Sequence, residues 1–192
     1  MQEMGIEAID QKPNLSQNGK EHVRFPYLLK GMPLSHPNHV WSTDITYDRM
    51  KQGFVYVVEF LDWFSRYVLS WRMSTTLDIA FVLEAAQEAI ERYGNPDYAN
   101  SDQGLHFISQ QYIGLRDQEK TQISMDGKGR CMDNILIERF WRSFKYEEVY
   151  LKDYATAWEA EANIGDYVRR YNVGRLHKSL GHRTPHEVYY KK

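Results

Sequence analysis

Cysteine is nearly absent from the sequence. Cys131 is the only cysteine in 192 residues, so the chain cannot form an internal disulfide. This excludes the small secreted domains that disulfides hold together, and it favours a reducing compartment. It also argues against a structural zinc site, because His36 and His39 have an H-x₂-H spacing but the cysteines that usually complete such a site are missing.

Long apolar runs are absent as well. No stretch of 18 apolar residues occurs, which excludes a segment hydrophobic enough to cross a bilayer as a helix. Residues 1–18 are polar and lack the apolar stretch of a signal peptide. The DGKGR segment at 126–130 lacks the G-x₄-GK-[ST] pattern of a nucleotide-binding loop. We therefore expect a cytoplasmic protein with no membrane partner and no small-molecule cofactor.

The chain also lacks a strong net charge. Its formal charge is −2, which does not mark a nucleic-acid-binding protein. The distribution is uneven, however, because the segment from Arg169 to Lys192 holds seven Lys or Arg and one acid, Glu187. This basic tail could contact DNA phosphates, or it could be an ordinary solvated surface. Charge alone leaves both interpretations open.

Apolar residues, 42% of the chain, follow patterns that predict an α/β fold. Apolar runs at 37–48, 54–62 and 66–73 predict three strands, and their short links favour antiparallel pairing. Apolar residues then recur every three or four positions from 77 to 90, and Gly94 follows as a helix stop. Further strands are predicted at 98–101 and 121–124, and further helices at 109–118, 133–150 and 156–171. A mixed five-stranded sheet flanked by helices is compatible with a ribonuclease-H-like fold, although periodicity leaves other α/β folds open.

Three segments of the chain differ in character. Residues 1–36 contain three prolines and no extended helix or strand period, which predicts an arm or linker. Residues 37–150 hold all of the predicted strands and form the predicted core. Residues 151–192 are expected to add a helix and the basic tail, in which apolar anchors are few.

Two aspartates lie within or directly after predicted strands, where acidic residues are uncommon. Asp44 lies in the middle of the first predicted strand, where an acid is disfavoured, and alternation places it on the same face as Ser42 and Thr46. Asp102 follows the fourth strand, at the edge where α/β proteins bind ligands. Both positions point to a functional carboxylate, although any single acid is more often a surface residue.

A third acid, Glu138, lies one turn into the predicted helix that starts near Asp133. Ile137, Phe140, Trp141 and Phe144 form an apolar stripe on this helix, while Asn134, Glu138, Arg142 and Lys145 form a polar one. A carboxylate aligned with two cations suits a metal site beside a phosphodiester. The alternative is an exposed helix face with an ordinary Glu138–Arg142 pair.

The chemistry of phosphodiesters explains why three acids would be brought together. The phosphate repels nucleophiles, and two divalent cations about 3.5–4 Å apart overcome this by activating the attacking oxygen and stabilising the leaving one. Mg²⁺ prefers oxygen ligands and retains several waters, so three carboxylates suffice as anchors. Close carboxylates raise one another's pKa unless cations bind between them.

The spacing of these acids and the words around them resemble a known family. Fifty-seven residues separate Asp44 from Asp102, and 35 separate Asp102 from Glu138, which is similar to the D,D(35)E signature of retroviral-type integrases. The flanking words resemble orf-B-type insertion-sequence transposases from about residue 26 to 190. These words are VWSTDITY (40–47), LDWFSRYVLSW (61–71), NSDQG (100–104), ISMDGKGRCMDN (123–134), ERFWRSFKYEEVY (138–150) and YNVGRLHKSLGHRTP (171–185).

This resemblance implies a ribonuclease-H-like, integrase-like catalytic core over 37–150. It implies Asp44, Asp102 and Glu138 as catalytic metal ligands for two Mg²⁺ or Mn²⁺ ions, and strand cleavage and 3′-hydroxyl strand transfer that integrate DNA. It further implies a homo-oligomer assembled on element ends and target DNA, in the bacterial cytoplasm at the nucleoid. The residues expected to contact DNA are Asn134, Arg142, Lys145, Arg175 and Lys178.

Some features depart from the family pattern. Asp48 stands where an apolar or β-branched residue is expected, so it should weaken the end of the first strand. Leu105 and His106 replace a small or polar pair after the DQG motif. Residues 1–36 show no helix-turn-helix, which suggests a truncated reading frame. Asp62 is expected to make a structural hydrogen bond and Asp133 to cap a helix.

Two other functions remain compatible with the sequence. One is a truncated, non-catalytic transposase remnant that binds DNA or its full-length relative. The other is a ribonuclease-H-type nuclease that hydrolyses nucleic acid without joining it. The intact set of three acids argues against complete decay of the active site.

Overall fold

The computed structural model describes residues 25–51, 53–117, 121–126 and 134–191. Two sequence interpretations fall outside these ranges: the helix cap at Asp133 and the DGKGR loop beyond Asp126. Within the described ranges, no helix is both long and apolar enough to span a membrane.

The centre of the fold is a mixed five-stranded sheet. Its strands are β1 (Val40–Arg49), β2 (Phe54–Asp62), β3 (Val68–Ser74), β4 (Tyr98–Ser101) and β5 (Gln122–Met125). Their order across the sheet is β3-β2-β1-β4-β5. The first three strands form antiparallel pairs, whereas β4 and β5 run parallel to β1. The five strands predicted from the sequence are all present.

Strand β1 begins later than the sequence predicted, at Val40, and ends one residue later than predicted, at Arg49. It pairs with β2 over its full length, from Trp41 opposite Asp62 to Arg49 opposite Phe54. Asp48 therefore does not end the strand, as its type suggested it would. The reason is that Lys145 lies 3.7 Å from its carboxylate and offsets part of the cost of its burial.

In the described part of the chain, five α-helices flank the sheet. They are α1 (Ala80–Tyr93), α2 (Gln110–Asp117), α3 (Ile135–Glu147), α4 (Ala157–Gly174) and α5 (Pro185–Tyr190). The predicted helices are all found, with shifted ends. Leu77, taken from periodicity as the first apolar contact of α1, precedes that helix and is exposed.

Alternate residues of β2 separate the two apolar layers of the fold. Val58 and Phe60 pack with α1, while Val57 and Leu61 pack with α3 and α4. This alternation follows from the pleat of a strand covered on both faces. The second layer contains side chains from both sides of residue 150, so the predicted division there runs through one shared apolar cluster.

Asn172 of α4 ties this helix to the edge of the sheet. Its side chain accepts a hydrogen bond from the Val68 amide and donates one to the Val68 carbonyl, each at 2.9 Å. Because β3 is an edge strand, its outer backbone groups need such partners. The side chain of Asn172 thus occupies the place that a neighbouring strand would take.

The C-terminal tail is better anchored than the sequence indicated. It contains a short 3-10 helix, Lys178–Leu180, and the helix α5, which begins with a capping box between Thr184 and Glu187. Leu180 and Val188 are buried. The expectation of few apolar anchors was wrong because these side chains are spaced too sparsely to form a recognisable period.

The end of the predicted N-terminal arm packs on β5. The Leu28 amide donates to Ser124 Oγ at 3.1 Å, and the Met125 amide to the Pro26 carbonyl at 3.4 Å. Leu29 is buried. Residues 25–36 therefore extend across the core, although they form no helix or strand.

Candidate active site

Asp44 lies on the face of β1 that is covered by α3. Its Oδ2 accepts a hydrogen bond from Trp141 Nε1 at 3.1 Å, and its Oδ1 accepts one from the Ile45 amide at 2.8 Å. Burial, followed by the nearby charge of Asp102, raises the pKa of Asp44 to about 7. The two hydrogen bonds oppose this rise. Asp44 is therefore a carboxylate held in a fixed orientation at high electrostatic cost, which is the condition in which a cation is attracted.

Asp102 follows β4 and is exposed. The Gly104 amide donates to its Oδ1 at 2.8 Å. A Cβ atom added at Gly104 would lie 2.8 Å from that same oxygen, so the glycine of the NSDQG word lets the backbone approach the carboxylate. The structure thus brings Asp102 near enough to Asp44 for its charge to raise the pKa of Asp44.

Asp126 is a third acid in this region, and it was not singled out from the sequence. It follows β5, and its charge also raises the pKa of Asp44. Asn100 Nδ2 donates to its Oδ1 at 2.9 Å, and Gln103 Nε2 donates to its backbone carbonyl at 3.0 Å. The available signal was its place after a parallel strand adjacent to β4, where carboxyl ends of strands meet at one edge.

Glu138 lies in the first turn of α3 and is exposed. It is three residues before Trp141, so the two side chains are neighbours on the helix surface. Over the part of the chain that the structure describes, no three acids or histidines are close enough to hold one metal ion. The structure therefore brings Asp44 and Asp102 together but does not place Glu138 with them.

Glu59 is a buried acid that the sequence analysis missed. It lies directly opposite Asp44 on β2 and is 1% exposed. Neither carboxylate oxygen has a hydrogen-bond partner among the described residues. Burial first, and the charge of Asp44 second, raise its pKa well above the ordinary value for glutamate. The signal available was a lone acid within the apolar strand FVYVVEFLD.

The residues expected to contact DNA have different surroundings. Asn134 starts α3, but its side chain makes no capping hydrogen bond and its Oδ1 is buried without a partner among the described residues. Arg142 and Lys178 are exposed. Lys145 pairs with Asp48. Arg175 pairs with Glu147 and donates to Ser143 Oγ at 3.4 Å.

The polar stripe of α3 tests the alternative interpretation of Glu138, an ordinary ion pair with Arg142. The structure forms no ion pair between Glu138 and Arg142, both of which it describes. Ordinary helix-surface pairing of these two side chains is therefore not seen. Both side chains face solvent.

Asp62 has a structural role, as the sequence indicated. Its Oδ1 accepts the Asn38 amide at 2.8 Å, and its Oδ2 accepts the amide and hydroxyl of Ser65 at 2.8 and 2.5 Å. Asp62 therefore links the turn between β2 and β3 to the segment that precedes β1. It is fully buried, which separates it from the exposed edge where Asp102 lies.

The arrangement of Asp44, Asp102 and Asp126 fits the donor set that a hard divalent cation needs. All three supply carboxylate oxygens, the ligand type that Mg²⁺ prefers, and one or two carboxylates with water complete many such sites. Burial is the main cause of the raised pKa of Asp44, and the charges of Asp102 and Asp126 raise it further. The chemistry of these side chains therefore suits a divalent cation, while in the described part of the chain no three of them converge closely enough to hold one ion.

Sequence comparison finds matches to integrase core domains and to insertion-sequence transposases. Two family models, both described as Integrase core domain, match residues 35–131 and 119–185. The transposase for insertion sequence element IS904 of Lactococcus lactis is 32% identical over 152 residues, 78% of this chain and 60% of that protein. The transposase for element IS629 of Shigella sonnei is 31% identical over 153 residues, 79% of this chain and 52% of that protein. The chain thus spans about half to three fifths of the length of these relatives.

Solved structures give the same fold. The HTLV-2 integrase catalytic core domain in complex with magnesium matches with a TM-score of 0.64 and 19% identity, over 82% of this chain and 99% of that one. The mixed sheet with flanking helices is ribonuclease-H-like, and the predicted fold class is confirmed.

Proposed function

Since this chain belongs to the integrase core domain family, we propose that it is the catalytic core of an insertion-sequence transposase. Its reaction would be cleavage of DNA strands and attack of a 3′-hydroxyl on a phosphodiester, so that the element is joined to target DNA. The observation that carries the proposal is the electrostatic coupling of Asp44 and Asp102 at the sheet edge. Transposases of insertion elements are also the relatives to which the sequence is similar.

Asp44, Asp102 and Glu138 are proposed to hold Mg²⁺ or Mn²⁺, two ions in the complete site. Bound ions of this kind lower the pKa of an attacking oxygen and stabilise the charge on a leaving one. The magnesium in the HTLV-2 integrase core structure and the acidic donor set of this chain both support a divalent cation. Glu138 would have to approach Asp44, which its neighbour on α3, Trp141, already contacts.

The chain's own residues would prepare this site in three ways. Trp141 fixes the orientation of Asp44 through Oδ2, and the Gly104 amide fixes that of Asp102 through Oδ1. The Asn100 side chain holds Asp126 beside them. Because donors preset these carboxylates, little reorganisation is needed when positive charge arrives.

DNA is the proposed substrate and partner, and it would be bound by basic side chains outside the group of carboxylates. Arg142 is exposed one turn after Glu138 and is the strongest candidate to contact a phosphate near the scissile bond. Lys145, Asn134, Arg175 and Lys178 are further candidates. Arg175 would have to exchange Glu147 for a phosphate, since the two are paired in the structure. A homo-oligomer on two DNA ends is proposed for the working complex.

The test is a strand-transfer assay with a pre-cut element end and Mg²⁺. Asp44→Asn, Asp102→Asn and Glu138→Gln should each abolish joined product, while Glu161→Gln, an exposed acid on α4, should leave it unchanged. Free, shortened DNA without joined product would instead indicate a nuclease. DNA binding without either product would indicate a non-catalytic remnant, and both outcomes would contradict the proposal.

A further inference from the structure

Tyr47 and Phe54 form a patch of exposed aromatic rings at the far end of the β1–β2 hairpin. Tyr47 is 64% exposed and Phe54 is 49% exposed. Their ring centroids lie 6.1 Å apart at an interplanar angle of 72°, so the two rings support each other edge to face. Two contacting aromatic rings open to solvent offer a flat apolar surface that a ligand can cover.

Lys145 and Arg49 place positive charge beside the Tyr47–Phe54 patch. Lys145 Nζ lies 5.8 Å from the centroid of the Tyr47 ring, within the range of a cation–π contact. Arg49, two residues beyond Tyr47 on the same strand face, is exposed, and so is Arg142, one turn before Lys145 on α3. The nearby acid Asp48 is buried and paired with Lys145. The patch therefore suits a flat, apolar group attached to negative charge.

The position of the patch connects it to the candidate active site. Tyr47 is three residues after Asp44, which is about 10 Å along a strand, and its side chain points to the opposite face of the sheet. In the described part of the sheet, β4 pairs with β1 only as far as Ser42, so β1 has a free edge between the two residues. The side chain of Lys145 lies at this edge. Its Nζ contacts both the Asp48 carboxylate and the Tyr47 ring, although these two side chains are on opposite faces of the strand.

We propose that the Tyr47–Phe54 patch binds an unpaired base of the substrate DNA by stacking, a role that rests on the proposed function. A base within a duplex has both faces covered by its neighbours, so only a frayed or single-stranded nucleotide can present a face to Tyr47. Aromatic platforms flanked by cations bind single strands without regard to sequence. The patch would hold the displaced base close to the carboxylates and keep the strand end open.

The test measures binding without divalent cations, so that it does not depend on catalysis. The probe is a short single-stranded oligonucleotide with one fluorescent aminopurine base, compared with a blunt duplex. Tyr47→Leu should weaken single-strand binding about tenfold and restore aminopurine fluorescence, because stacking is lost. Tyr47→Phe should behave as wild type, and blunt-duplex binding should change less than twofold in either variant.

Trp158→Leu serves as the matched control, since Trp158 is 79% exposed at the start of α4 and should not alter single-strand binding. An unchanged affinity in Tyr47→Leu, equal loss for duplex and single strand, or no single-strand binding by the wild type would overturn the proposal. Loss of self-association in Tyr47→Leu with unaltered DNA binding would assign the patch to a contact between copies and would also overturn it. Failure of strand transfer alone would count against the proposed function and not against the patch.

Discussion

Glu59 and Asp44 face each other across the β1–β2 pair, and both carboxyl groups lie on the side of the sheet that α3 covers. The two acids thus share a buried space in which neither has a cation as partner among the described residues. Proteins rarely bury carboxyl groups without such a partner, because loss of hydration disfavours the charged form. The pKa values of both are raised for this reason.

The first prediction concerns pH and stability without divalent cations. A carboxyl group whose pKa is higher in the folded state stabilises the fold fully below its unfolded pKa, and this contribution is lost as pH rises through the folded pKa. The free energy of unfolding should therefore fall from about pH 4 through about pH 7, the folded pKa of Asp44. Urea denaturation followed by circular dichroism across this range measures the slope.

Glu59→Gln should reduce that slope and make the protein more stable at pH 8 by roughly 1–2 kcal/mol, since one buried titrating group is removed. Glu161→Gln, on the surface of α4, is the matched control and should follow the wild-type curve. A Glu59→Gln variant with an unchanged slope would mean that Glu59 does not titrate with a raised pKa.

Trp141→Phe should raise the pKa of Asp44 above its wild-type value. The indole N–H donates to Oδ2 and favours the charged form of the carboxyl group, so its loss favours the proton. Carboxyl ¹³C chemical shifts of Asp44 followed during a pH titration measure this directly. Trp71→Phe, in the same apolar cluster, should not move the titration; an equal shift in both variants would assign the effect to packing.

Lys145→Met should destabilise the protein by about 1–3 kcal/mol, because it leaves the buried Asp48 carboxylate without its cation. Adding Asp48→Asn should recover part of the loss, and the coupling energy from the double-mutant cycle should be about 1 kcal/mol. The measurement is chemical denaturation of all four proteins. Strict additivity would show that the two side chains do not interact in solution.

Asn172→Ala should cost about 2–4 kcal/mol of stability, because the amide and carbonyl of Val68 both lose their partner. Hydrogen exchange at the Val68 amide should accelerate along with the loss. Asn163→Ala on the same helix removes hydrogen bonds at the protein surface and should cost less than 1 kcal/mol. If the two variants were equally stable, the link between α4 and the sheet edge would be unimportant.

Much of the fold was predictable because its strands carry strong local patterns. The runs at 54–62 and 98–101 were placed at their observed bounds, the first because apolar and β-branched residues fill it and the second because it follows the Gly94-Asn95-Pro96 helix stop. Asp44 and Asp102 could be placed at the sheet because a mid-strand acid and an acid after a strand each break the expected composition. The structural role of Asp62 followed from its position at a tight turn.

Other features depend on contacts between distant segments, and sequence patterns do not contain them. Asp48 pairs within β1 while its buried carboxylate meets Lys145 of the distant helix α3. The electrostatic interaction of Glu59 with Asp44 follows only from the strand register, which places the two residues opposite each other. The anchoring of α5 by scattered residues such as Val188 is likewise a tertiary effect, because a helix this short has no measurable period.

The apolar cluster shared by α3, α4 and the sheet has a practical consequence for anyone who works with fragments. A protein ended near residue 150, where sequence patterns suggest a boundary, would uncover Phe140, Phe144 and the edge of β3 at once. Such a fragment should aggregate when expressed, and its insolubility would say nothing about the chemistry of the carboxylates. Shortened proteins that keep Tyr167, Tyr171 and Asn172 retain the side chains that cover this surface.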